Sequence, residues 1–151
     1  MTLSARRVTV MVTVAGAVMA AVAAIGLTLY HLDRQKYQVP MPPPGASARQ
    51  VVLAYLHALD AHDTATAEQL TTPSFRPETQ SWLRSTASIR HITIQGVTHW
   101  SRQHEYDVNV TFRYASHLWT RDSSFPDGDH FWGYSLVSRH GRLLINGDGV
   151  G

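Results

Sequence analysis

The sequence predicts an α+β domain attached to a membrane anchor. Three observations support this: an uncharged apolar run, then segments with helical spacing, then segments in which apolar and polar residues alternate. Helices followed by a run of antiparallel strands are typical of α+β domains. The chain of 151 residues has room for one domain with a substantial core. It has no cysteine, which excludes disulfides and thiol chemistry.

The apolar run is Val8–Tyr30, 23 residues without a charged side chain. At about 1.5 Å per residue, such a helix crosses a hydrocarbon layer about 30 Å thick. We therefore expect residues 1–7 to be a cytoplasmic tail and residues 8–30 a transmembrane helix. The protein would then be a single-pass protein of the cell membrane with its C-terminal domain outside. A signal peptide cleaved near Ala23 is the alternative, although the apolar run continues past that site.

A proline-rich stretch within residues 31–46 favours polyproline II and predicts a semi-rigid linker to a domain at 47–151. The isoelectric point of about 9.2 arises largely from basic residues that flank the anchor. The segment 47–151 holds nine arginines against ten acidic residues. A nucleic-acid-binding domain needs a basic stripe, so we expect no nucleic-acid partner.

Three helices are predicted at the start of the domain. Ser47 and Gln50 have the form of a capping box. The helix should end near residues 60–62. A one-sided apolar stripe runs along it: Val51, Val52, Tyr55, Leu56 and Leu59. Asp63 can cap a second helix, whose predicted core residues are Ala65, Ala67 and Leu70. A third helix is predicted over Pro77–Thr86, with Trp82 and Leu83 in the core.

Four strands are predicted after the helices. Residues 104–114 alternate, with one apolar face made of Tyr106, Val108, Val110, Phe112 and Tyr114. Ile89–Trp100 is predicted as a strand with a bulge at Gly96. Strands at 131–138 and 143–146 are predicted to be joined by a tight turn at His140 and Gly141. Residues 115–129 form a polar connection, and Asp127–Asp129 is expected to be a turn because it lacks the later ligands of a calcium loop.

The sequence contains no motif for catalysis, a cofactor or a metal. Asp107 is a candidate acid–base residue, but the alternation places it on the polar face of its strand. His57 and His62 are five residues apart on a helix and point in different directions. We therefore expect no catalytic residue, no cofactor and no metal site, and thus a protein that is not an enzyme.

The apolar spacing of the first helix and the closing segment Gly141–Asn146 resemble the NTF2-like (SnoaL-like) superfamily. The matching residues of the helices are Val51, Val52, Tyr55, Leu56, Leu59, Asp63 and Leu70. The resemblance implies a cone, in which a curved antiparallel sheet wraps about three helices and encloses a cavity. Enzymes of this superfamily carry an Asp, Glu or His inside the cone. The aromatic residues expected to line such a pocket are Tyr55, Tyr106, Phe112, Tyr114, Trp132 and Tyr134.

Two functions remain open at this point. The first is a non-catalytic accessory or assembly subunit of a cell-envelope complex, with protein partners on the sheet or on the 115–129 connection. A domain of this kind on a membrane anchor is also similar to accessory proteins of lipid-import complexes and of conjugation channels in high-GC bacteria. Gly16 and Ala20 form a small-residue pair that can support a homo-oligomer. The alternative is a small-molecule-binding or isomerase/cyclase-type pocket protein.

Overall fold

Three helices precede four strands in the computed structural model, which describes residues 38–100, 105–119 and 125–150. The elements are α1 (Ala48–Asp60), α2 (Thr64–Gln69), α3 (Arg76–Ser85), β1 (Thr86–Trp100), β2 (Glu105–Ser116), β3 (Gly128–Arg139) and β4 (Arg142–Gly149). Residues Gln38–Gly151 form one compact unit. The strands form a single antiparallel sheet in the order β1-β2-β3-β4, and the helices pack on it. The predicted α+β class is therefore confirmed.

The predicted anchor Val8–Tyr30 lies outside the described residues. Within the described part of the chain, none of the helices is long and apolar enough to cross a membrane. The end of the predicted linker is described, and it contacts the domain directly. The Val39 amide donates to Asp63 Oδ2 over 3.0 Å, and Thr66 Oγ1 donates to the Val39 carbonyl over 3.3 Å. Residues 39–41 thus belong to the folded unit as well as to the linker.

Helix α1 begins with the predicted capping box. The Ser47 amide donates to Gln50 Oε1 over 2.9 Å, and the Gln50 amide donates to Ser47 Oγ over 3.4 Å. The predicted stripe of α1 is buried and forms the centre of the core. Asp63 caps α2 as predicted, through the Thr66 amide. The expectation for Ala65 was wrong: Ala65 is exposed, and Thr66 is buried in its place because α2 turns Thr66 toward Val39.

The inner face of the sheet, which faces the helices, carries the predicted apolar side of β2. Val108, Val110, Phe112 and Tyr114 are all buried there. The β3–β4 turn also agrees with prediction, since His140 and Gly141 have φ values of 50° and 75°. Two consecutive positive φ values are typical of the tight type I′ hairpin turn.

All four strands extend further than the sequence predicted. β1 begins at Thr86, β2 continues to Ser116, β3 begins at Gly128 and β4 continues to Gly149. Gly128 and Asp129 therefore belong to β3. The prediction of a turn at Asp127–Asp129 was wrong for these two residues. Asp127 accepts hydrogen bonds from the amide and hydroxyl of Ser116 at 2.7 and 2.8 Å. These bonds connect the end of β2 to the residue that precedes β3.

Candidate functional site

A carboxylate lies on the inner face of the sheet because β4 contains a bulge. Leu136 pairs with Ile145, but the preceding residue Ser135 pairs with Gly147, so Asn146 is an extra residue. Side chains alternate between faces along a strand, and an extra residue reverses that alternation. Asp148 therefore points to the same face as Ile145. Without the bulge it would point to the opposite, outer face.

Two tryptophans bind the Asp148 carboxylate. Trp82 Nε1 of α3 donates to Asp148 Oδ2 over 2.8 Å, and Trp132 Nε1 of β3 donates to the same oxygen over 3.2 Å. Asp148 is half-buried. Burial raises the pKa of its carboxyl above the ordinary value, and the two indole hydrogen bonds partly oppose that rise because they favour the charged form.

Aromatic rings surround Trp82. Its ring centroid lies 5.1 Å from Phe125, 5.7 Å from Tyr114 and 6.1 Å from Trp132, in each case edge to face. Edge-to-face contacts at these distances are favourable in addition to the apolar area that they bury. The cluster keeps water from one side of the Asp148 carboxylate and fixes the directions of the indole donors.

Two buried tyrosines extend this site toward α1. Tyr134 pairs with Asp148 across β3 and β4, and its ring meets the Tyr55 ring edge to face at 5.7 Å. The Tyr55 hydroxyl donates to Thr79 Oγ1 over 3.3 Å. The Tyr134 hydroxyl is fully buried and has no hydrogen-bond partner within the described residues. Burial raises the pKa of both hydroxyls, so both stay protonated and able to donate.

We refer to Tyr55, Trp82, Trp132, Tyr134 and Asp148 as the Asp148 cluster. It combines one acceptor group with a raised pKa and one buried hydroxyl without a partner. An indole N–H is a donor only, so Trp82 and Trp132 can orient the carboxylate but cannot carry a proton away from it. The carboxylate therefore has remaining acceptor capacity, and the enclosed Tyr134 hydroxyl has a donor that no described residue uses.

The structure places the six predicted lining residues in two regions. Five of them lie in or against the core, either within the Asp148 cluster or next to it: Tyr55, Phe112, Tyr114, Trp132 and Tyr134. Tyr106 lies at the other end of the inner face, stacked on His99 with 4.3 Å between ring centroids. There it lines a cavity of about 250 Å³ together with Arg142 and Leu143.

Sequence reasoning missed Asp148 and the polar role of Trp82. Trp82 was predicted only as a core residue, and β4 was expected to end at Asn146. The pair Asn146–Gly147 was the available signal, because a glycine within a strand often marks a bulge. Asp107, the carboxylate that the sequence did single out, accepts a hydrogen bond from Trp100 Nε1 over 2.6 Å on the outer face.

Comparisons with known proteins concern the fold. No family model matches the sequence, and no curated protein shows significant sequence similarity to it. A solution structure of a SEC-C motif-containing protein from Rhodopseudomonas palustris is similar, with a TM-score of 0.53 and 14% identity over 72% of this chain and 82% of that one. A proposed polyketide cyclase from Xanthomonas campestris matches with a TM-score of 0.41 and 18% identity over 66% of this chain and 89% of that one. The first similarity supports the α+β fold and nothing further.

Proposed function

We propose that this chain is an NTF2-like pocket protein that binds a small molecule at the Asp148 cluster. The observation that supports this most directly is the Tyr134 hydroxyl, which is buried without a partner beside the half-buried Asp148. A buried hydroxyl without a hydrogen bond costs about 1–3 kcal/mol of stability. A phenylalanine would fill the same space without that cost, and in this proposal the hydroxyl is kept for a hydrogen bond to the ligand.

The ligand is expected to carry a hydrogen-bond donor or a cationic nitrogen for Asp148. The charge of the carboxylate favours such a group, and the half-buried ring of Trp132 can contact its apolar part. An acceptor group on the same ligand would take the hydrogen bond of the Tyr134 hydroxyl. This combination of an apolar lining with a few polar groups is typical of small-molecule sites.

Binding is proposed here without catalysis. The two groups that hold Asp148 Oδ2 are indole N–H donors, which orient the carboxylate and favour its charged form. A carboxylate fixed in this way suits recognition of a donor group.

In this proposal the domain works outside the cytoplasm, on the single-pass anchor predicted at residues 8–30. The test is to purify the full chain from membranes in a mild detergent, release bound compounds by denaturation and identify them by mass spectrometry. We expect a compound that is retained by the natural chain and lost from Asp148→Ala and Tyr134→Phe. Tyr106→Phe is the matched control, since it removes a tyrosine hydroxyl elsewhere on the inner face. Retention that is equal in all four proteins, or no retained compound in any, would contradict the proposal.

The accessory-subunit function is a second candidate, supported by an exposed apolar pair after β2. Leu118 is 87% exposed and Trp119 is 80% exposed, and the Trp119 ring stacks on His117 with 5.2 Å between centroids. Large apolar side chains that are exposed next to one another are typical of protein-binding surfaces. Crosslinking in membranes should then capture a partner that Trp119→Ser loses and Phe131→Ser keeps. Recovery of the chain alone and monomeric would contradict this candidate.

A further inference from the structure

The outer face of the sheet, opposite the helices, carries a groove of about 500 Å³ near the end of β4. Its side-chain walls come from β1, β2, β3 and the residue after β4: Thr98, Trp100, Asp107, Asn109, Ser135 and Val150. Asp148 and Tyr134 border it through their backbone, because their side chains point to the inner face. The groove is therefore separate from the Asp148 cluster and does not depend on the function proposed for that cluster.

The floor of the groove consists of backbone without side chains. Gly133 pairs with Gly149, and Gly147 pairs with Ser135, so three glycines meet in two neighbouring strands. A Cβ at Gly147 would lie 2.8 Å from Ser135 Oγ, closer than such atoms approach in proteins. A Cβ at Gly149 would meet no atom within 4 Å and would project into open space. The floor is thus flat enough for a planar or ring-shaped ligand.

Trp100 forms one wall, and its position is fixed. Its side chain is 53% exposed, although its Nε1 donates to Asp107 Oδ2 over only 2.6 Å. The hydrogen bond satisfies the one polar atom of the indole and sets the orientation of the ring. What remains exposed is therefore the apolar ring itself, held in place next to a flat polar floor.

The polar groups along the groove can both donate and accept hydrogen bonds. Asn109 carries an amide, and Thr98 and Ser135 carry hydroxyls, each of which has donor and acceptor capacity. Asp107 can accept further hydrogen bonds through Oδ1. It is also the only charged side chain that faces the groove from the described residues, so the groove disfavours anions.

We propose that this outer-face groove binds a neutral carbohydrate. One face of a pyranose ring presents apolar C–H groups, which would lie on the Trp100 ring. The hydroxyls around the sugar edge are donors and acceptors at once, as are the amide and hydroxyl groups of Asn109, Thr98 and Ser135. The absence of side chains at Gly133 and Gly149 leaves room for the ring on the floor. An oligosaccharide would extend along the strands past Gly149.

The test uses the full chain in a detergent without a sugar headgroup. Maltotriose, cellotriose and chitotriose are titrated separately to about 10 mM, above the millimolar dissociation constants of weak sites. The ¹⁵N-indole signal of Trp100 is followed by NMR and identified by its loss in Trp100→Phe. We expect at least one trisaccharide to shift this signal in a saturable way.

Three variants decide the position of the site. Trp100→Ala should weaken binding about tenfold or more, measured by calorimetry, because it removes the stacking surface. Gly149→Val should abolish binding while keeping the melting temperature, because its side chain would fill the groove without a collision. Phe131→Ala is the matched control, since it removes another exposed outer-face aromatic that does not line the groove, and it should bind normally.

The proposal is overturned if none of the three sugars moves the Trp100 signal, or if Gly149→Val binds as tightly as the natural chain. It is also overturned if tetramethylammonium shifts the signal and the sugars do not, since Trp100 and Asp107 would then form a cation site. Failure of these titrations leaves the Asp148 cluster unaffected, because the retention experiment depends on Asp148 and Tyr134 alone.

Discussion

The hydrogen bond between Trp82 and Asp148 can be measured by a double-mutant cycle. The cycle compares the natural chain with Trp82→Phe, Asp148→Ala and the double variant, and it cancels the packing changes that each single substitution causes. A hydrogen bond to a charged group contributes about 1.5–3 kcal/mol to the free energy of unfolding, and the partial exposure of Asp148 lowers that contribution. We therefore expect a coupling energy of about 1–2 kcal/mol at pH 7.

The second indole provides an internal comparison. Trp132 Nε1 lies 3.2 Å from Asp148 Oδ2, against 2.8 Å for Trp82, and Trp132 is less buried. The Trp132–Asp148 coupling should be about half as large, because a longer bond in a more exposed position is weaker. The assay is urea unfolding of residues 38–151, a compact unit with its own core. A Trp82–Asp148 coupling below about 0.3 kcal/mol, within the usual additivity error, would refute the reasoning.

Three further predictions concern stability. Tyr134→Phe should raise the free energy of unfolding by about 1 kcal/mol, measured by urea unfolding, because it removes a buried hydroxyl without a partner; a loss of stability would contradict this. Asp148→Asn should gain stability relative to the natural chain as the pH rises from 4 to 7. The raised pKa means that the folded chain binds the Asp148 proton more tightly than the unfolded chain, so the natural chain loses stability once that proton leaves. Unfolding curves at both pH values check this, and a difference that stays constant would argue against it. A fragment that starts at Ser47 should be about 2 kcal/mol less stable than one that starts at Gln38, since it lacks the two hydrogen bonds of Val39; equal melting curves would show that Val39 contributes nothing.

Local sequence signals predicted most of the secondary structure. The capping box at Ser47, the helical stripe of α1 and the alternation of β2 each depend on a few neighbouring residues, and each is found in the structure. The turn at His140 and Gly141 is also local. Such features follow from backbone preferences and from burial of one face, which the sequence displays directly.

The candidate site depends on contacts between distant residues, and these could not be predicted. Asp148 reaches the inner face only because of the extra residue Asn146 in β4, and the register of β3 against β4 determines that bulge. Its partner Trp82 is 66 residues away in the sequence. An alternation rule applied to β4 alone places Asp148 on the wrong face. The same rule placed Asp107 correctly, because β2 has an unbroken register with β3.

The proposed ligand site depends most on Asp148, a half-buried carboxyl held by two indoles. The direct measurement is an NMR titration of the Asp148 ¹³Cγ signal in residues 38–151, identified by its loss in Asp148→Asn. We predict a pKa above the value of about 3.9 that is usual for aspartate, and a further rise in Trp82→Phe, which removes a hydrogen bond to the charged form. A pKa at or below the usual value, unchanged in Trp82→Phe, would contradict the account.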